Sequence, residues 1–71
     1  MNSIKTAMNS FETKIILTLA DQNMNITAAA RVLFMHRNSV IYHIRKIKKA
    51  TGLDATVFYD LCKLTQEVKQ L

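Results

Sequence analysis

Apolar residues recur along this chain at helical spacing, in four stretches separated by short polar interruptions. In the first, Phe11, Ile15 and Leu19 stand four residues apart, flanked by Ile16 and Ala20, as one face of a helix requires. Asn9 or Ser10 occupies the capping place. Glu12, three residues after Asn9, gives a box-like spacing, with Asn where Ser or Thr is usual. Residues 21–25, rich in Asn and Asp, predict the first turn. Asn25 or Thr27 then opens a short helix through Ala28, Ala29, Ala30, Val32 and Leu33, whose small side chains allow a neighbour to cross closely. The pattern lapses at Phe34, Met35 and His36, with no room for a long loop before it resumes. Val40, Ile44 and Ile47 form the inward stripe of a third helix, running from about Arg37 to Thr51. Gly52 stands where a left-handed stop residue belongs, with Leu53 folding back as its apolar contact.

Asp54 reads as the N-cap of a last helix. There Val57, Leu61, Leu64, Val68 and Leu71 recur at steps of four, three, four and three, and Phe58, Cys62 and Thr65 widen the stripe. Such a face packs on its own core or forms the seam of a dimer, and the periodicity is compatible with both.

One glycine and no proline in 71 residues leave no turn chemistry for several β-hairpins, so the expected class is all-α. With 49% hydrophobic and 21% charged residues, the chain has a globular balance. We expect a small domain of four helices over residues 10–71, or five if the start adds a turn, with residues 1–9 an extension or linker. Cys62 is the sole cysteine, which excludes an internal disulfide and suits a reducing compartment. No apolar run approaches the roughly 20 residues of a membrane span, and the first residues lack a signal-peptide core. The expected location is cytoplasmic, without membrane attachment.

Charge sharpens the picture. The formal balance is +5, and six of the ten basic residues (Arg31, Arg37, Arg45, Lys46, Lys48, Lys49) lie between Asp21 and Asp54 with no acid among them. A short alanine-rich helix, a tight turn and a longer basic helix describe a helix-turn-helix spanning about residues 26–49, the second helix entering the major groove of double-stranded DNA. With Val40, Ile44 and Ile47 inward, Asn38, Tyr42, Arg45 and Lys49 face outward, Ile41 and Lys48 lie on one flank, and Ser39 and Lys46 on the other. His36, Arg37, Asn38, Ile41 and Tyr42 are the expected base-reading residues: Arg37 suits guanine O6 and N7, Asn38 suits adenine N6 and N7, and Ile41 suits a thymine methyl. Thr27, Arg31, Ser39, Arg45, Lys46 and Lys49 are the expected phosphate contacts. Taken one at a time, these residues also fit blander roles: a solvated helix end for residues 45–49, or local capping for Asn38 and Ser39.

Other functions find less support. Cys62 lies in an apolar stripe with no base beside it, and no carboxylate pair or glycine-rich phosphate loop occurs. His36 and His43 are two helical turns apart, about 10 Å along the axis, too far to share one metal ion. No enzyme activity, metal or cofactor is expected. The alternatives are a helical protein-interaction module with a basic face, and non-specific chromosome binding by the same fold.

The run Ala29-Ala30-Arg31-Val32-Leu33-Phe34-Met35-His36-Arg37-Asn38-Ser39-Val40-Ile41-Tyr42-His43-Ile44-Arg45-Lys46-Ile47, followed by Thr51-Gly52-Leu53-Asp54, resembles the C-terminal helix-turn-helix domain of PucR/CdaR-type bacterial regulators. It is similar, more distantly, to Fis and NtrC-type DNA-binding domains. The resemblance covers about residues 10–71 and rests on the His-Arg-Asn-Ser turn and the Thr-Gly-Leu-Asp helix stop. It implies a transcriptional regulator whose recognition helix begins at His36-Arg37-Asn38. The resemblance also implies a sensory region in a longer protein. Sequence-specific binding is expected; because a monomeric helix-turn-helix binds weakly, a homodimer is expected as well, with a nucleoid-associated location. Ile41 and His43 stand where the family often has arginine, and Phe34 replaces the turn glycine of the wider pattern, which requires the turn to avoid a positive φ or to bear its cost.

Overall fold

The computed structural model describes residues 8–69. These form four helices and no strand: α1 Ser10–Asp21, α2 Ile26–Val32, α3 Arg37–Thr51 and α4 Phe58–Lys69. The expected all-α class is thus what the chain adopts.

Helix α1 is the hub. It packs against α4, α2 and α3, while α2 packs against α3. Being surrounded explains why adjacent residues Ile15 and Ile16, together with Leu19, are all buried: they point to neighbours on different sides. Each such side chain contributes roughly 1.5–3 kcal/mol of burial. Ala29 and Ala30 of α2, Val40, Ile44 and Ile47 of α3, and Leu61, Leu64 and Val68 of α4 complete the core, joined by Met8 and Ala55 from outside the helices. Phe11, expected in the α1 stripe, is instead 44% exposed.

The helix ends follow from local hydrogen bonding. Asn9, not Ser10, caps α1: its Oδ1 accepts the Glu12 N–H at 2.8 Å, and Glu12 Oε1 accepts the Asn9 N–H at 3.3 Å. Asn25, not Thr27, caps α2 by accepting the Ala28 N–H at 3.0 Å. Helices α1 and α2 end alike. Met24 N–H returns to Leu19 O and Asn23 N–H to Ala20 O; Met35 N–H returns to Ala30 O and Phe34 N–H to Arg31 O. This paired pattern requires a left-handed residue, and Asn23 (φ 56°) and Phe34 (φ 55°) supply it without glycine. Gly52 (φ 79°) ends α3 as expected, its N–H on Lys48 O at 2.7 Å. A Cβ there would meet no atom within 4 Å, so the backbone angle alone calls for glycine.

The approach to α4 corrects the expectation for Asp54. Asp54 accepts the Thr56 N–H at 2.9 Å and its hydroxyl at 2.6 Å, and Val57 N–H closes on Asp54 O. That geometry is a turn, not a helix cap. The helix begins at Phe58, with the Val57 carbonyl taking the Leu61 N–H. Consequently Val57 and Phe58, expected inward, are 46% and 64% exposed, while Leu61, Leu64 and Val68 pack inside. Leu71, the last member of that expected stripe, lies outside the described residues.

Candidate nucleic-acid interface

The expected contact residues occupy one short helix, one turn and the start of the next helix. Thr27 and Arg31 are exposed on α2, and Arg37, Asn38 and Ser39 are exposed on the first turn of α3. Burial of Val40, Ile44 and Ile47 fixes the rotation of α3. At three- and four-residue spacing, Tyr42, Arg45, Lys46 and Lys49 then come together on its outer side. These four line an open hollow of about 330 Å³, three cations around one aromatic ring. Tyr42 is 60% exposed there, its ring edge-on to His43 with centroids 5.3 Å apart.

Two of the expected base-reading residues occupy positions that limit that role. His36 is exposed, but its Nδ1 accepts the Asn38 N–H at 3.0 Å and so caps α3. Ile41 is half-buried. Neither Asn38 nor Ser39 supplies the side-chain cap of α3, which leaves both side chains outside that cap.

Sequence reasoning missed Glu12. Besides its part in the α1 cap, Glu12 is 4% exposed and places Oε2 3.7 Å from His43 Nδ1 and 4.0 Å from Lys46 Nζ. Glu12 Oε2 and His43 Nδ1 are shut off from solvent without a hydrogen-bond partner, so their contact is a charge pair only when His43 is protonated. Phe11 meets the His43 ring edge-on, centroids 5.3 Å apart. Thus α1 touches the back of the basic helix through one acid and one ring. A signal was present: His43 lies three residues after Val40 and four before Ile47, on the inward stripe.

The family model for the PucR C-terminal helix-turn-helix domain matches residues 13–69. The chain belongs to that family. A PucR-type helix-turn-helix domain is a DNA-binding module of transcription regulation, and domains of this kind are generally not enzymes. Here the helix-turn-helix pair is α2 and α3, with Leu33–Phe34–Met35–His36 between them. Neither the curated proteins nor the solved structures contain a match to the chain. Among the described residues, no helix of this PucR-type domain is long and apolar enough to cross a membrane.

Proposed function

We propose that this domain binds double-stranded DNA sequence-specifically, as a bacterial transcriptional regulator or the DNA-reading part of one, with α3 in the major groove. One observation carries the reading. Arg37, Asn38 and Ser39 on the first turn, and Tyr42, Arg45, Lys46 and Lys49 along the outer side, are exposed on a helix whose opposite face is locked into the core. Arg37 and Asn38 carry the side chains that pair with guanine and adenine edges, whereas Arg45, Lys46 and Lys49 neutralise phosphates. Thr27 and Arg31 on α2 are placed to hold the backbone beside the groove. Ile41 and His36 are secondary: the first offers a partly covered apolar edge, the second chiefly orients the helix start.

A homodimer on two half-sites about 34 Å apart is the working assembly, because one helix-turn-helix contacts few base pairs. A sensory region in a longer chain and a place on the bacterial chromosome in the cytoplasm belong to the same proposal.

The test is a fluorescence-anisotropy titration of duplex DNA from a randomised pool, from low to physiological salt. The expected result is binding that weakens steeply with salt and enriches a two-fold symmetric sequence. Salt-dependent binding without enrichment would replace sequence reading by generic coating of DNA. Absence of binding at low salt would overturn the proposal.

A further inference from the structure

A second exposed region lies outside α2 and α3. The end of α1, the turn after it and one side of α4 enclose a largely apolar hollow of about 250 Å³, with Met24, Phe58, Leu61 and Cys62 among its walls. Beside it stand the rings of Phe58 and Tyr59, 64% and 78% exposed and edge-to-face with centroids 6.0 Å apart. Val57 adds a third exposed apolar side chain. At roughly 150–250 Å² per aromatic ring, these residues leave a few hundred Å² of apolar surface uncovered, the size of the largest patch on a typical monomer, which often serves a function.

We infer that this surface holds a second copy of the same chain, Tyr59 of each protomer entering the hollow of the other. Three observations select that occupant. A projecting ring adjacent to a hollow is self-complementary under a two-fold axis, where each contact occurs twice. The hollow is large enough, since cavities of about 150 Å³ already accept a benzene ring. Charge also favours this side. The chain carries +5, and six of its ten cations lie in residues 22–53. Residues 54–69 instead carry Asp54, Asp60 and Glu67 against Lys63 and Lys69, close to balance. Two copies meeting through α4 therefore keep their basic faces apart and free. Leu64 and Val68 are committed to the core, so the contact uses the outer edge of the stripe that periodicity suggested, through Val57, Phe58 and Cys62, with Tyr59 beside it.

The surface is smaller than the roughly 800 Å² per partner of a standard stable interface, so the free dimer is weak and fast-exchanging. Its use in binding two half-sites rests on the DNA-binding reading above; the contact itself does not.

Sedimentation equilibrium of the chain without DNA, over a wide concentration range, tests it. The expected result is a rise from monomer towards dimer mass, with Tyr59→Ser raising the dissociation constant at least about tenfold. Tyr59 is largely exposed, so this variant keeps its helical circular dichroism, and its net charge is unchanged. A monomer at every concentration would overturn the inference and assign the surface to another partner. A dimer indifferent to Tyr59→Ser would overturn it by placing the interface elsewhere. Because no DNA is present, neither outcome depends on whether the domain reads DNA.

Discussion

Phe34 holds a positive φ of 55° with its side chain 97% exposed, so it bears backbone strain without gaining burial. A left-handed conformation costs an L-residue about 1–2 kcal/mol, of which glycine returns part through its larger unfolded-state entropy. Phe34→Gly is therefore expected to raise the urea midpoint, by up to about 1 kcal/mol of stability, at unchanged slope. A lowered midpoint would mean that glycine's unfolded-state entropy outweighs the strain relieved at this position. Arg37 presents the complementary case, an exposed side chain with no structural duty in the fold. Arg37→Ala should leave stability unchanged and reduce discrimination between selected and random duplexes by about 1–3 kcal/mol. Equal losses on both duplexes would move Arg37 from base reading to phosphate binding.

Between elements, Glu12 links the start of α1 to the middle of α3. Glu12→Ala removes the acceptor of the Asn9 N–H and the acid facing His43, and is expected to cost about 1–2 kcal/mol. Glu12→Gln keeps an acceptor and should cost less. Thermal unfolding of the two variants separates these values, and an alanine variant as stable as the parent would dismiss the link. Asp54 acts at the junction before α4. Hydrogen bonds from the Thr56 hydroxyl and backbone N–H, aided by Lys48 at 3.6 Å, hold its carboxyl below the ordinary aspartate range, against the opposing effect of burial. A lowered folded-state value stabilises the ionised form, so its contribution is complete above the unfolded value of about 3.9 and disappears as pH falls through the folded value. Urea midpoints followed from pH 7 downward should fall less steeply below about pH 4 for Asp54→Asn than for the parent. Identical pH profiles would remove Asp54 from the acid response.

For the whole molecule, the separation of charge is the feature that matters. The basic helices and the α4 surface are different faces, one suited to a polyanion and one suited to a like copy. Lys46 has its ammonium 4.0 Å from Glu12, yet its side chain is 55% exposed, so it remains available to a phosphate. Lys46→Ala should weaken binding to all duplexes alike and reduce the slope of log affinity against log salt by about one. An unchanged slope would mean that Glu12 retains Lys46 when DNA binds.

The sequence by itself determined the four helices and most of their inward residues, with Phe11, Val57 and Phe58 the exceptions. The apolar spacing of Ile15 and Leu19, or of Val40, Ile44 and Ile47, is local information that survives whatever the helices pack against. The Gly52 stop and the exposure of Arg37, Asn38 and Lys49 followed from the same register. Tertiary structure decided what depends on a partner element. Glu12 is a first-turn acid by sequence, and becomes a buried contact because α1 lies behind α3. Asp54 looks like a cap by residue type, but its carboxylate is engaged by Thr56, which delays α4 and turns Val57 and Phe58 outward. The hollow beside Tyr59 exists because the end of α1 and α4 meet imperfectly, and periodicity along one helix contains no information about such a gap.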